Sequence, residues 1–265
     1  MDFKGKVALI TGGGNGIGRA AALGFANLGA KVLVVDRDAA GGEGTAGAIR
    51  QQGGEARFVA ADVTRSAEVQ NYVKDALSAY GRIDCFFNNA GIEGSVKPTV
   101  DYDEAVFDQV IAVNLKGVFL GLKHVLPVMV RQKSGAVVNT ASVAGLVATV
   151  GMSAYVASKH GVIGLTKTAG AEMARLGIRV NAVCPGPIET RMIHDLARQI
   201  SPGDPAAAEK RYQAVIPSGR FGTAEEVAQV VLFLCSDLAG NVNGAHWVVD
   251  GARTATGASM HPPAN

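Results

Sequence analysis

The chain has little cysteine, no usable pattern of histidine and almost no excess of charge. Its three cysteines, Cys85, Cys184 and Cys235, stand apart in apolar surroundings with no C-x-x-C spacing. That excludes a disulfide framework and a thiolate metal site, and they read as buried free thiols. His124, His160, His194, His246 and His261 show neither H-x-x-x-H spacing nor a paired carboxylate arrangement, so no catalytic metal is expected. Lys and Arg number 25 against 23 Asp and Glu, without a long basic block, which disfavours a nucleic-acid partner. There is no run of eighteen uncharged apolar residues, and Met1 to Lys6 leads straight into an apolar segment rather than a signal sequence. No membrane partner is therefore expected, and the protein is expected to be soluble and cytoplasmic. Neither a dividing linker nor an internal repeat is visible.

What the sequence does have is alternation. Apolar runs predict strands near Val7 to Ile10, Lys31 to Asp36, Ala56 to Ala60, Ile83 to Asn88, Ala136 to Thr140, Arg179 to Val183 and His246 to Val249. Helical patterns fill the gaps at Ile17 to Leu28, Ala40 to Gln52, Ala67 to Tyr80, Tyr102 to Arg131, Met152 to Arg175 and Ala224 to Ser236. Every connection is long enough for a right-handed crossover, so the fold class is α/β, a doubly wound seven-stranded parallel sheet flanked by helices. Thr223 and Glu226 form a capping-box pattern at the start of the last helix. Gly41, Gly42, Gly44 and Gly47 should make the second helix the weakest, and Pro127 should kink or end the long helix around it.

Between the first strand and the first helix lies Thr11-Gly-Gly-Gly-Asn-Gly-Ile-Gly18. Glycines there let the backbone approach a pyrophosphate, and the helix start offers free amides and a positive dipole end. The spacing Gly12-x-x-x-Gly16-x-Gly18 departs from G-x-G-x-x-G, so its place between strand and helix carries the weight, with Asn15 and Ile17 as intervening contacts. The second strand ends at Asp36, eighteen residues past Gly18, where a carboxylate would accept adenosine ribose hydroxyls and repel the extra phosphate of NADP. Arg37 follows it and offers a cation for a phosphate, whereas Asn15 stands where a basic residue would favour NADP; the balance favours NAD. The domain is thus a single Rossmann-type unit over residues 1–255, with a tail at 256–265.

Tyr155 and Lys159 stand at i and i+4 on an Ala-rich helical stretch, with Ser142 thirteen residues before Tyr155. Residues so spaced share one helix face, where a Lys cation can stabilise a neighbouring phenolate. Alone, such a pair also occurs on solvated helix faces.

Taken together, Thr11-Gly-x-x-x-Gly-x-Gly18, Asn88-Asn-Ala-Gly91, Asn114, Ser142, Tyr155-x-x-x-Lys159 and Pro185-Gly186 resemble the short-chain dehydrogenase/reductase family, in the family's order and across nearly the whole chain. The resemblance implies an enzyme in which Tyr155 exchanges a proton with a carbonyl or alcohol oxygen held by Ser142. Lys159 would lower the Tyr155 pKa and anchor the nicotinamide ribose. Asn114 would kink its helix and hold a water, while a polar residue inside an apolar helix can also serve to satisfy backbone groups, and the two readings do not exclude each other. It further implies that Asp62 and Val63 meet adenine, that Asn89, Ala90 and Gly91 line the cofactor floor, and that Pro185, Gly186, Ile188 and Thr190 embrace the carboxamide. For Asn88, structural turn and cofactor contact stay equally open. A homotetramer is implied as well.

Residues 188–220 include Ser201-Pro-Gly-Asp-Pro205 and read as a substrate lid, with Met192, Ile193, Leu196 and Tyr212 either lining it or serving as ordinary packing. Small and apolar residues around Gly91 to Gly94, Ser142 to Gly145, Val150 and Met152 favour a neutral, compact secondary alcohol or ketone. Gly117-Val-Phe-Leu-Gly-Leu122 resembles the family's cyclic-ketone reductases. A 3-oxoacyl-carrier reductase, a sugar dehydrogenase and a non-catalytic dinucleotide sensor remain alternatives. Asp250-Gly-Ala252 departs from the family pattern, with Ala in place of a second glycine, and Asn243 stands where Thr is common.

Overall fold

Seven strands, β1 (Val7–Thr11), β2 (Lys31–Asp36), β3 (Ala56–Ala60), β4 (Cys85–Asn88), β5 (Gly135–Thr140), β6 (Ile178–Pro185) and β7 (His246–Val249), form one parallel sheet in the order β3-β2-β1-β4-β5-β6-β7. This is a computed structural model, and it describes residues 1–256; the sequence reading of the tail at 256–265, including Met260 to Asn265, falls almost wholly outside the described residues. The central strands are continuous apolar runs because both faces of a parallel sheet are covered. Alternate residues then serve opposite sides. Leu9, Leu33, Phe86 and Val137 pack toward one layer with Tyr72, Val125 and Val162, while Ala8, Ile10, Val32, Phe87 and Val138 pack toward the other with Phe25 and Leu232.

The covering helices are α1 (Gly16–Asn27), α2 (Ala39–Gln51), α3 (Ser66–Tyr80), α4 (Glu104–Ile111), α5 (Gly117–Gln132), α6 (Ser153–Met173), α7 (Arg191–Ile200), α8 (Pro205–Ala214) and α9 (Ala224–Cys235). Thr223 and Glu226 do form a reciprocal capping box at the start of α9. In α2, Gly42 allows close packing, since a Cβ there would lie 2.1 Å from the Phe58 ring.

The stretch expected as a helix from Tyr102 to Arg131 is helical from Glu104 to Gln132, with a π-helical turn, Ala112–Lys116, centred on Asn114 between α4 and α5. Pro127 does not end α5, which continues to Gln132. An interior proline costs about 3 kcal/mol, but Val125, Leu126, Val128 and Met129 around it are buried, and that packing outweighs the lost hydrogen bond. Glu104–Gln132 is long and apolar enough to cross a bilayer by length and composition alone; its inner face belongs to the core.

Strand order reverses between β1 and β4. In an open α/β sheet that switch point leaves a crevice at the carboxyl ends of the strands, and there Thr11, Asp36, Asn88, Thr140 and Pro185 end their strands.

Candidate active site

A cavity of about 730 Å³ occupies this crevice. Its floor is the turn from β1 into α1. Asn15 precedes the helix in an extended conformation without a side-chain cap, and the first turn carries no acid, so its amides are left for an anion. Gly12 adopts φ +63°, and a Cβ on it would lie 2.9 Å from Ala90 Cα. Gly12, Asn15, Gly16 and Ile17 line the cavity. Gly18 does not; a Cβ there would sit 2.0 Å from the Gly12 carbonyl oxygen, so it closes the helix onto the turn instead of meeting a ligand.

Asp36 is oriented by the turn it faces. Its Oδ2 accepts from Gly14 N at 2.8 Å and its Oδ1 from Asp38 N at 2.9 Å, while the carboxylate remains on the cavity wall beside Arg37, Asp62 and Val63. Asn89 braces the turn from β4: Nδ2 donates to the carbonyls of Thr11 and Gly12 at 3.1 and 3.2 Å, and Oδ1 accepts from Thr140 Oγ1 at 3.0 Å. Asn89, Ala90 and Gly91 line the cavity, as do Pro185, Gly186, Ile188 and Thr190. Asn88 does not. It is buried, donating to Val118 O at 2.9 Å and Asn139 Oδ1 at 3.2 Å, and so ties β4 to β5 and α5.

Ser142, Tyr155 and Lys159 meet on the opposite wall. Ser142 lies two residues beyond β5 as the cap of a short turn, accepting from Ala144 N at 3.1 Å and donating to Pro185 O at 3.4 Å, and it acts on the Tyr155 phenol in the direction of a lower pKa. The Lys159 ammonium is 3% exposed, donates to Thr140 O at 2.7 Å and lies 5.5 Å from the Tyr155 ring centroid. Burial pulls the Lys159 pKa down to about 8. Burial also pushes the Tyr155 phenol up to about 12, against the Ser142 hydrogen bond and with help from the negative charge of Glu93. A Tyr155 pKa lowered by Lys159 is thus not what this geometry produces: the ammonium is committed to the Thr140 carbonyl, and desolvation of the phenol dominates.

Asn114 lies behind the cavity wall rather than on it. It is fully buried in the π turn, holding Ile92 and donating to Ser158 Oγ at 3.3 Å. The segment at 188–220 folds as α7 and α8, and Met192, Ile193, Leu196 and Tyr212 all line the cavity. The sequence reading missed three charged groups in this region. Glu93 lines the cavity, and burial raises its carboxyl pKa. Arg253 enters from the C-terminal turn. His194 of α7 bridges Glu189 at 2.7 Å and Glu209 of α8 at 2.8 Å. Sequence spacing hides the first two because the walls they share come from distant segments.

A doubly wound sheet, a capless glycine turn at its switch point and a Ser, Tyr and Lys cluster on the same cavity define an oxidoreductase of the Rossmann type. The family model described as enoyl-(acyl carrier protein) reductase matches residues 12–253. The chain is 46% identical to levodione reductase of Leifsonia aquatica, covering 96% of each chain, and 42% identical to cyclohexanol dehydrogenase of Acinetobacter sp. (strain SE19), covering 95% of this chain and 96% of that one. A crystal structure of levodione reductase superposes with a TM-score of 0.94, covering 96% of this chain and 99% of that one at 46% identity. That of NAD+-bound xylitol dehydrogenase gives 0.90 at 35% identity, covering 95% and 100%. The chain belongs to the short-chain dehydrogenase/reductase family, and it is an enzyme acting on CH–OH or C=O groups.

Proposed function

We propose that the protein transfers a hydride between NAD(H) and a small, largely hydrophobic secondary alcohol or ketone, cyclic in its best substrates, with Tyr155 as general acid and base. The observation that carries this reading is the convergence of Ser142, Tyr155 and Lys159 on the same cavity as the capless glycine turn and Asp36. The cradle fits a dinucleotide: its close approach at Gly12 is one that a Cβ would fill, and its helix start offers amides to a pyrophosphate. Gly12, Asn15, Gly16 and Ile17 would hold the phosphates, Asp36 the adenosine ribose, and Asn89 to Gly91 with Pro185, Gly186, Ile188 and Thr190 the nicotinamide half. Bound there, NAD supplies the hydride carrier.

Ser142 holds the substrate oxygen against Tyr155 by a hydrogen bond. In reduction the phenol gives its proton to the carbonyl oxygen; in oxidation the phenolate takes it from the alcohol. Lys159, on the wall of the same cavity, would hold the nicotinamide ribose, and its lowered pKa lets it exchange a proton near neutral pH. The apolar side chains of Met192, Ile193, Leu196 and Tyr212 support an apolar substrate body. Relatives named for levodione and cyclohexanol support a cyclic one.

The half-exposed Phe107 and Phe119, and Trp247 with Val248 on the edge strand β7, support a homotetramer. We place that tetramer in the cytoplasm. The test is a panel of cyclic ketones, acyl thioesters and sugars with both cofactors, the sugars run in the oxidative direction. Faster turnover of cyclic ketones with NADH than with NADPH is expected. A preference for NADPH overturns the Asp36 reading, and activity confined to thioesters overturns the substrate reading.

A further inference from the structure

Arg253 stands on the substrate side of the cavity with Tyr212, whose phenol feels its positive charge. The residue before it, Ala252, has φ 71°, a left-handed conformation that residues other than glycine adopt only where their surroundings impose it. Asp250 imposes it here. Its Oδ1 accepts from Ala252 N at 2.9 Å, and its Oδ2 accepts from both Thr254 N and Thr254 Oγ1 at 2.7 Å. The turn is also tied to the chain just beyond α8, where Ser218 N donates to Gly251 O at 3.2 Å. A strained turn, clamped at both ends, thus delivers one guanidinium to the cavity.

That guanidinium is not neutralised by the charges around it. Among the described residues Arg253 makes no ion pair, whereas Arg191, the other arginine on this side, has Asp195 at 3.7 Å. Glu93 is the acid of the substrate side, but the charges that act on it are those of Asp195, Arg191 and Arg37. A partly exposed guanidinium on a cavity wall with no counter-charge is free to pair with an anionic group of a ligand.

We propose that Arg253 is a specificity-determining residue that binds a carboxylate on the substrate, at the end remote from the carbinol carbon. This rests on the hydride-transfer reading and departs from the neutral substrate that the sequence favours: the substrate has an apolar body against Met192, Ile193 and Leu196 and one terminal acid. A guanidinium suits that acid because its planar fork matches both carboxylate oxygens.

The test compares 4-oxocyclohexanecarboxylate with its methyl ester, using NADH, in the wild type, Arg253→Met and Arg253→Lys. In the wild type kcat/KM favours the acid over the ester by about tenfold or more, as expected of a charge-assisted hydrogen bond, with the difference in KM. Arg253→Met brings the ratio to about one, and Arg253→Lys retains part of it. Equal use of acid and ester by the wild type, or an unchanged ratio in Arg253→Met, overturns the proposal. If neither ketone is turned over, it is the hydride-transfer reading that fails. Calorimetric titration with cyclohexanecarboxylate then decides on Arg253 separately: binding by the wild type that Arg253→Met loses supports it, and no binding or equal binding overturns it.

Discussion

Asn114 grips Ile92 by both of its backbone groups: Oδ1 accepts from Ile92 N and Nδ2 donates to Ile92 O, each at 2.8 Å. The loop that follows β4 and carries Gly91 and Glu93 is thereby fastened to the π turn between α4 and α5. The turn's irregularity and the loop's position are one feature.

Replacing Asn114 with Leu removes the partners of two backbone groups of Ile92, which is partly buried on the cavity wall. A loss of about 1–3 kcal/mol is expected from two such hydrogen bonds, together with a fall in kcat as the cavity wall beside Lys159 shifts. Urea unfolding and steady-state rates measure the two effects. A variant as stable as the wild type contradicts the bracing role.

Lys159 makes a pH prediction. Its folded pKa of about 8 lies below its ordinary 10.5, so the folded state binds fewer protons than the unfolded chain between those values. Burying the ammonium therefore costs stability in full below pH 8, and the cost is relieved as pH rises toward 10.5. Against Lys159→Met, the wild type should gain in melting temperature from pH 7.5 to 10. A constant gap between the two proteins contradicts the buried cation.

His194 carries the opposite sign. Glu209, the larger cause, and Glu189 raise its pKa, because both ring nitrogens donate only in the imidazolium form. The contribution to α7–α8 cohesion is present below the ordinary His pKa and lost as pH rises through the raised one; it is modest, since the side chain is 37% exposed. Amide exchange over residues 191–214, corrected for its intrinsic pH dependence, should lose protection from pH 6 to 9 in the wild type and not in His194→Gln. Parallel profiles contradict the bridge.

Much of this was legible in the sequence where the physics is local. Strands β2, β3 and β7 begin and end where their apolar runs do, and β1 extends one residue further. Glycine spacing, Asp36 and the Tyr155 to Lys159 pair identified the walls of the cavity because each depends on neighbours in the chain. What escaped depends on tertiary contacts. Pro127 is carried through α5 by buried packing, Gly18 faces Gly12 rather than a ligand, and the backbone groups that Asn114 satisfies are those of Ile92, twenty-two residues away. The α7–α8 pair is interrupted by Ser201-Pro-Gly-Asp204, so its helices are short, and α8 has little amphipathic periodicity although α7 is strongly amphipathic. Tyr155 shows the same limit: spacing predicted the partner, but burial decides its pKa.

The most direct test of the account is Tyr155→Phe, assayed with cyclohexanone and NADH beside a titration of NADH binding. The phenyl ring keeps the packing and loses only the exchangeable proton, so kcat should fall by about a thousandfold, within the span attributed to a positioned acid or base, while the NADH dissociation constant stays within about threefold. Turnover within tenfold of the wild type, with NADH bound equally well, would contradict the role of Tyr155 and with it the proposed chemistry.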